Sequence, residues 1–362
     1  MKYNMVKLKE LCTVNQGLQI PISKRYKEPG ENRYFYITVQ FLKDNGENYY
    51  IENPPKSVTC TEDEILVVRT GNTGQVITGV AGCFHNNFFK VTPNEKIYFK
   101  YLYYALNNKK MHDAMLNAAS GTTIPDLKHS SFYDLEIPLP EISIQKKIAK
   151  ILDNICDKLK LNNEINNNLY EEAVTLYKDK FKGIGQGKKT IGDYIVPKRG
   201  KNLLTRDAIH GDTPVVAGGI APSAYHNQFN TKSPVITISA SGANAGYTNL
   251  WNIPVWASDC SYIDDSITKN VYFWYIVLKT RQNEIFDAQT GSAQPHIYPQ
   301  HIAEMSIGEL NIAEVKKYNN LVAPLFKMIG ENQKENKKLS QLRDALLPKL
   351  MNDEIDLDNI EI

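Results

Sequence analysis

The sequence predicts an α+β fold in which two repeated mixed α/β domains are separated by two long helices packed as an antiparallel coiled coil. Three observations support this prediction. Motifs recur at an offset of about 170 residues, and a long segment with helical apolar periodicity follows each copy. The chain of 362 residues is also longer than one average domain.

The repeat is marked by a G-[ST]-x-x-P motif, which occurs at Gly121–Pro125 and again at Gly291–Pro295. A β-branched strand that runs into a turn rich in Gly and Asn precedes each motif, at Ile65–Gly74 and Val235–Gly246. Solenoid repeats are much shorter than this spacing. The pattern therefore indicates a duplicated domain in which each copy holds its own core.

An aromatic-rich amphipathic segment follows the turn in each copy, at Tyr98–Leu106 and Val271–Leu278. Tyrosine and phenylalanine at helical spacing are most often core residues. We expect both segments to pack inside their domains.

Two long helices are predicted after the two copies. Apolar residues from Ile142 onward are spaced mostly by three, four or seven, up to the glycines of Gly183–Gly187. The second helix runs from Ile312 to Pro348, although the stretch 330–338 is polar. Neither helix can bury its narrow apolar seam alone, so we expect them to pack together. Duplication would make them antiparallel, with the globular domains at opposite ends.

These boundaries divide the chain into five segments. They are a first globular domain (1–141), a first long helix (142–183), a second globular domain (184–311), a second long helix (312–350) and an acidic C-terminal tail (351–362).

The composition is that of a globular protein. Hydrophobic residues make up 42% and charged residues 23%, so disorder is excluded as the main description. The formal net charge is only +2, which excludes a protein that holds nucleic acid by bulk positive charge. It does not exclude a local basic surface, because electrostatic attraction depends on where the charges lie.

The sequence also predicts a cytoplasmic protein. The longest apolar runs are shorter than the roughly 18 residues of a membrane span, and Met1–Asn4 does not lead into an apolar signal core. The five cysteines are an odd number, widely spaced and without a C-x-x-C pair. We therefore expect reduced structural thiols rather than a disulfide framework or a thiolate zinc site.

A search for catalytic motifs gives two near matches, both better explained as turns. Gly183–Thr190 resembles a phosphate-binding loop, but Lys182 and Lys189 stand where that motif needs Gly and Ser or Thr. Asn53–Lys56 is similar to the N-P-P-aromatic motif of amino-methyltransferases, but Lys56 replaces the aromatic residue. We interpret the first as a linker and the second as a proline-rich turn.

Hydrolytic chemistry has little support. The seven histidines include no H-E-x-x-H motif and no H-x-E followed by paired cysteines. Asp63, Glu64, Arg69 and Thr70 approximate a nuclease centre, but the catalytic lysine is missing. We predict no catalytic residue and no metal site in this chain.

The remaining features are those of binding. The segment Lys188–Arg206 has six basic residues and one acidic residue, which is typical of a phosphate-contacting loop or of a solvated surface. The Gly-containing loops are rich in Thr, Asn, Ser and Gln, which suit base edges but also occur in ordinary polar turns. The candidate DNA-binding residues are Arg69, Asn72, Thr73, Thr122, Thr123, Lys128, Lys198, Arg199, Lys201, Asn244, Ser292, Gln294 and His296.

The ordered set of features resembles the specificity subunit of type I restriction-modification enzymes. The first long helix begins E-x-x-x-Q-K-K-I at Glu141–Ile148, and Leu346–Ile355 is similar to that family's closing L-L-x-x-L-M-x-G-x-I. The sequence departs from the family at Asp353, where Gly is usual, and at Val315–Tyr318, which replaces Q-x-x-I. The resemblance covers essentially the whole chain.

The resemblance implies that each globular copy is a target recognition domain for one half of a split site in double-stranded DNA. The helices would set the unread gap and bind two methyltransferase subunits, and restriction/translocase subunits would bind through these. S-adenosylmethionine, ATP and Mg²⁺ would belong to the partner subunits, so that this chain holds no cofactor and is not catalytic.

Two other functions remain open at this stage. One is a coiled-coil scaffold whose globular ends bind proteins without DNA specificity. The weaker one is a stand-alone DNA enzyme.

Overall fold

The computed structural model describes residues 3–42, 47–121, 125–291 and 294–357. The chain divides into two units, of which one comprises Met1–Lys158 with Leu339–Ile362 and the other Leu159–Lys338. Each unit therefore contains one globular domain and a part of both long helices. Each also contains sheets and helices, which confirms the α+β prediction.

In the first unit, the described residues form two four-stranded sheets and one strand pair. The strands are β1 (Met5–Lys7), β2 (Cys12–Gln16), β3 (Arg33–Ile37), β4 (Tyr50–Glu52), β5 (Thr59–Cys60), β6 (Ile65–Val68), β7 (Val76–Ile77), β8 (Gly82–Phe84), β9 (Phe88–Pro93) and β10 (Glu136–Pro138). The strand orders are β2-β9-β6-β7, β4-β3-β8-β5 and β1-β10. Only β3 and β8 pair in parallel among these described strands.

Strand β6 lies inside its sheet and has every side chain buried. Successive side chains of a strand point to opposite faces. Ile65 and Val67 accordingly join one apolar cluster, and Leu66 and Val68 join another. This explains why the strand is a continuous apolar run.

The second unit repeats this arrangement. Its strands are β11 (Lys189–Thr190), β12 (Lys198–Arg199), β13 (Thr213–Val216), β14 (Ala224–His226), β15 (Val235–Ser239), β16 (Thr248–Trp251), β17 (Trp256–Ala257), β18 (Cys260–Asp264) and β19 (Ser306–Ile307). The orders β12-β18-β15-β16, β14-β13-β17 and β11-β19 correspond to those of the first unit, except that β5 has no counterpart among the described strands. Strand β13 pairs with β17 in parallel, as β3 does with β8. The duplication predicted from the sequence is confirmed.

Two of the α-helices in the described residues, α4 and α8, are much longer than the rest. The α-helices are α1 (Phe99–Leu106), α2 (Lys109–Ala118), α3 (His129–Tyr133), α4 (Ile142–Lys180), α5 (Val271–Thr280), α6 (Gln282–Asp287), α7 (Pro299–Ala303) and α8 (Ile312–Met351). At 1.5 Å per residue, α4 and α8 are each about 60 Å long. The aromatic segments form α1 and α5, and α5 is buried from Val271 to Leu278, as expected of core.

The long helices pack antiparallel within each unit. In the first unit, Ile148 and Leu152 of α4 share an apolar cluster with Leu347 and Leu350 of α8. In the second unit, the later part of α4 meets the earlier part of α8, and the Tyr318 hydroxyl donates a hydrogen bond of 2.8 Å to the Ala173 carbonyl. The antiparallel pairing predicted from the two seams is confirmed.

The polar stretch of α8 pairs with asparagines of α4 inside the second unit. Asn162 is only 1% exposed, and its amide donates to Glu335 at 2.7 Å and to Asn336 at 2.8 Å. Asn332 donates to Asn166 at 2.8 Å. Buried amides that must find each other select one register of a helix pair at some cost in stability. We refer to these side chains as the amide layer.

Five free thiols are present, and four of them are buried. Burial raises the pKa of Cys12 and of Cys83 to about 12, so both remain protonated at neutral pH. Among the described residues, no group of His, Cys, Asp and Glu could hold a metal ion. None of the described helices is both long and apolar enough to span a membrane.

Gly17 and Gly200 lie at equivalent positions, directly after β2 and β12, where two backbones approach closely. A Cβ on Gly17 would lie 2.3 Å from the carbonyl oxygens of Phe84 and His85. A Cβ on Gly200 would lie 2.4 Å from the Ser258 carbonyl oxygen. Neither position can hold a larger residue without displacing the backbone of the neighbouring segment.

We predict that Gly200→Ala lowers the free energy of unfolding by about 1–3 kcal/mol, because the added methyl group would overlap backbone atoms that cannot move away easily. Urea denaturation followed by circular dichroism measures the change. The matched control is Gly185→Ala, since a Cβ there has no atom within 4 Å. Equal stability of the two variants would contradict the close approach.

Candidate nucleic-acid interface

The loop that carries the G-[ST]-x-x-P motif in the first unit closes onto the end of β6. Asp126 and Ser120 exchange two backbone hydrogen bonds, of 2.8 and 3.0 Å. Asp126 also forms a bridge with Thr70, and the Leu127 N–H donates to the Arg69 carbonyl at 2.9 Å. The residues that flank the motif therefore lie beside the turn after the central strand.

The second unit builds the same closure. His296 and Thr290 exchange backbone hydrogen bonds of 2.8 and 3.0 Å, and His296 forms a bridge with Ser241. The Ile297 N–H donates to the Ala240 carbonyl at 2.9 Å. We call each closure a loop end, formed by residues 69–75, 120–121 and 125–128 in the first unit and by 240–246, 290–291 and 294–298 in the second.

Glycines at equivalent positions let both loop ends turn sharply. Gly71 and Gly242 have φ angles of 104° and 81°, and Gly121 and Gly291 have φ angles of 100° and 92°. Side chains other than that of glycine are strained in this conformation. The requirement for this backbone explains why these glycines recur in both copies of the sequence.

Three predicted DNA-binding side chains of the first unit reach the surface at its loop end. Arg69 is partly exposed and donates to both carboxylate oxygens of Asp126, at 2.9 and 2.7 Å. Asn72 and Lys128 are exposed. The structure thus brings an ion pair, an amide and a lysine to one surface.

Thr73 lies at the same loop end but is buried. Its side chain is 4% exposed, and its hydroxyl donates to the carbonyls of Pro125 at 2.7 Å and of Arg69 at 3.1 Å. The expectation that this side chain faces a base does not fit the structure, because its hydrogen is already committed inside the loop. Thr73 instead ties the two segments of the loop end together.

Three other predicted residues, Thr122, Thr123 and Ser292, lie outside the described residues.

The basic segment of the second unit runs along the edge of a sheet. Lys198 and Arg199 form β12 and pair with β18, and both are exposed, as is Lys201. Arg199 forms an ion pair with Asp259, whose second oxygen accepts a hydrogen bond from the Ser241 hydroxyl. These bonds connect Arg199 to the second loop end through Ser241, which forms a bridge with His296.

The remaining predicted residues form the outer part of the second loop end. Asn244 and Gln294 are exposed, and His296 is half-buried. The ring of His296 stacks on that of Tyr298, with the centroids 6.0 Å apart. Tyr298 is 47% exposed.

The sequence reasoning missed Asp126, Asp259 and Tyr298. Asp126 had a detectable signal, because it stands one residue after the motif proline, where the second copy has His296. Tyr298 lies between the motif Gly291–Pro295 and the second long helix, and the sequence alone does not distinguish it from the many tyrosines that pack in protein cores. Asp259 has no local signal, since its partner Arg199 is 60 residues away in the chain.

The protonation states of Asp126 and of the nearby His129 are set by the residues around them. Hydrogen bonds from Arg69, and to a lesser extent from Thr70, lower the pKa of Asp126, although partial burial opposes them. Burial and the adjacent Arg69 charge lower the pKa of His129, whose Nε2 is buried without a hydrogen-bond partner among the described residues. Asp126 is therefore ionised and His129 neutral at pH 7.

Comparison with known proteins shows what the chain is similar to. The sequence profile of the type I restriction modification DNA specificity domain matches residues 1–171. The type I restriction enzyme MjaIX specificity subunit of Methanocaldococcus jannaschii is 26% identical over 92% of this chain and 86% of its own length. A putative type I specificity subunit of Mycoplasma pneumoniae is also 26% identical, over 70% of this chain and 73% of its own.

The chain is similar to type I specificity subunits over most of its length. The crystal structure of a type I restriction-modification system S subunit from M. genitalium has the same fold as this chain, with a TM-score of 0.63 at 20% identity. The match covers 97% of this chain and 96% of that one.

We predict that His129 makes the protein less stable as the pH falls. The unfolded chain binds a proton at His129 near pH 6.5, whereas the folded chain binds it only at lower pH, so folding opposes protonation. The stability that neutral His129 contributes is fully present above about pH 6.5, and it is lost as the pH falls below that value. Urea midpoints from pH 8 to pH 5 should therefore fall less steeply for His129→Phe than for the wild type. Parallel curves would contradict the assignment.

Proposed function

We propose that this specificity subunit reads DNA sequence for a type I restriction-modification complex, with each loop end contacting one half of a bipartite site in double-stranded DNA. The observation that carries the proposal is the pair of loop ends. The two loop ends have the same backbone arrangement but carry different side chains at equivalent positions. Asp126 corresponds to His296, and Lys128 corresponds to Tyr298. One frame with two sets of donors and acceptors suits two different half-sites.

Base contacts and phosphate contacts fall to different residues in this proposal. Gln294 and His296 carry amide and imidazole groups that can match base edges, and they lie on the motif loop. Lys198 and Lys201 are exposed point charges on or beside the edge strand, which suits phosphates. Phosphate contacts position the protein without reading sequence.

The partners follow from the family. In our proposal two methyltransferase subunits bind this chain, and restriction/translocase subunits bind through them. S-adenosylmethionine, ATP and Mg²⁺ act in those subunits, and this chain contributes recognition without catalysis. The net charge of +2 supports this division, because the partners would then supply much of the phosphate contact.

The two long helices would set the gap between the half-sites. Each is a continuous helix of about 60 Å, and the amide layer favours one register of the pair. A fixed register gives the pair a fixed length, which is what a spacer requires.

We expect the complex with methyltransferase subunits to enrich a bipartite consensus from random duplex DNA. The Gln294→Ala variant should lose discrimination at one base position of a single half-site. The loss should amount to about 1–3 kcal/mol of binding free energy, because one base contact is removed. Lys198→Ala is the matched control from the same unit, and it should weaken binding to all sequences alike and reduce the salt dependence. Sequencing of the bound pools measures both effects.

Absence of any enriched sequence would overturn the proposed function and favour a protein-binding scaffold. Uniform weakening by Gln294→Ala would instead assign that residue to the phosphate backbone.

We also expect the gap to shorten when the opposed segments 161–167 and 331–337 are deleted together. The deletion removes seven residues, or about two turns, from each helix, which is on the order of 10 Å or three base pairs. Mapping of methylated sites should show both half-sites unchanged and the gap reduced. Deletion of one segment alone, as a control, should impair folding because the helices lose their register. An unchanged gap in the double deletion would refute the spacer role.

A further inference from the structure

Each loop end holds one arginine through a carboxylate that also accepts a hydrogen bond from a hydroxyl. In the first unit, Arg69 donates through Nε and Nη2 to the two oxygens of Asp126, at 2.9 and 2.7 Å. The Thr70 hydroxyl donates to the same carboxylate at 2.7 Å. The three side chains form a fixed planar arrangement at the edge of the loop end.

The second unit contains the same three groups. Arg199 donates through Nη2 to Asp259, and the Ser241 hydroxyl donates to the other oxygen of that carboxylate. Thr70 and Ser241 are equivalent, since each forms a bridge with the residue that follows the motif proline. The hydroxyl therefore keeps its place in the duplicated frame.

The two arginines, in contrast, occupy positions that are not equivalent in the two units. The position equivalent to Arg69 is Ala240, because each accepts the backbone hydrogen bond from the second residue after the motif proline. The position equivalent to Arg199 is Gln16, because each ends its strand directly before the close-packed glycine. Each loop end thus has one arginine, at a different position and with a different carboxylate.

The pairing leaves part of each guanidinium free for a ligand. Arg69 uses Nε and one hydrogen of Nη2, so that Nη1 and the second Nη2 hydrogen still point away from Asp126. The Arg69 side chain is 22% exposed and that of Arg199 is 42% exposed. Two neighbouring donors on a fixed plane match the O6 and N7 acceptors of guanine in the major groove.

The ion pair also argues against a phosphate role. Asp126 and Asp259 neutralise the arginines, which weakens attraction to phosphate. Two hydrogen bonds to Asp126 also fix the guanidinium plane of Arg69, and one hydrogen bond to Asp259 directs the guanidinium of Arg199. Lys198 and Lys201 are different, because they are exposed and have no ion-pair partner among the described residues. A fixed, neutralised arginine is suited to reading a base, and an unpaired lysine to holding the backbone.

We propose that Arg69 and Arg199 each read a guanine, one in each half-site, and that the carboxylate and hydroxyl beside each arginine are positioning residues. This inference rests on the proposed function and deepens it. It assigns at least one G·C pair to each half-site. It also gives Asp126, Thr70, Asp259 and Ser241 a role in specificity through the arginine beside them.

The test uses the full complex with its methyltransferase subunits and duplexes that carry the selected consensus or single-base changes. Arg69→Lys keeps the charge but loses the fork of donors. It should reduce discrimination at one guanine of one half-site by about 5- to 150-fold, the range for a bidentate contact. The other half-site, read by the same molecule, is the control for folding.

Asp126→Asn separates positioning from a merely structural role. It should reduce discrimination at that same guanine, because the guanidinium is no longer fixed. It should also strengthen binding to non-specific DNA and steepen its salt dependence by about one phosphate contact, because the charge of Arg69 is released. A structural defect would weaken both kinds of binding. Asp134→Asn, which breaks the exposed ion pair with Lys7, is the matched control and should change neither.

The hydroxyls give a rescue test. Thr70→Val removes the donor at constant shape and should relax the same guanine as Asp126→Asn, whereas Thr70→Ser should restore it. In the second unit, Asp259→Asn and Ser241→Ala should relax one guanine of the other half-site, and Ser241→Thr should restore it.

The inference is overturned if Arg69→Lys relaxes no position of the consensus, or if Asp126→Asn broadens both half-sites equally. A consensus without guanine in one half-site would also overturn it. Each of these results leaves the proposed function intact, because a bipartite consensus has then been obtained. A wild-type complex that enriches no sequence would instead refute the proposed function itself.

Discussion

The burial of two narrow apolar seams is the constraint on which the rest of this structure depends. An isolated long helix cannot remove such a seam from water, so α4 and α8 pack against each other and against the domain of each unit. In the second unit the contact between helices and domain is aromatic. Tyr177 of α4 and Phe181, directly after α4, contact Phe273 of α5 and Tyr318 of α8. The equivalent contact in the first unit is an apolar cluster that contains Leu152 of α4, Leu347 of α8 and residues of α1. The helices are therefore part of each core, and the globular domains are built onto them.

Duplication gives two rigid frames whose variable parts lie at one edge. Both units share the parallel strand pair, the closure of the motif loop and, apart from β5, which has no counterpart among the described strands of the second unit, the strand orders. Backbone hydrogen bonds and glycine conformations hold these features, so they do not depend on which side chains occupy the loop end. Position 126 can hold aspartate and its counterpart 296 histidine without a change of fold. This separation of frame and side chain is what a protein needs if its two halves are to recognise different ligands.

Polar side chains act in two different ways in this molecule. In the amide layer of α4 and α8, Asn162 is buried and its partners are partly or fully exposed, and the hydrogen bonds among them select a register. The ion pairs of the loop ends are partly exposed, and their hydrogen bonds fix the direction of a side chain. In both cases the specificity of a hydrogen bond matters more than its small net contribution to stability.

The sequence by itself determined the fold class, the duplication and the antiparallel helices, because apolar periodicity and turn glycines are local signals. It also showed the resemblance to type I specificity subunits, and it placed Arg69, Arg199 and His296 among the candidate binding residues. Only the tertiary structure showed that Thr73 is buried and that Asp126 and Asp259 hold the arginines. Those partners are separated by 57 and 60 residues in the chain. Such pairings are decided by the register of strands and the closure of loops, which no local pattern of residue types specifies.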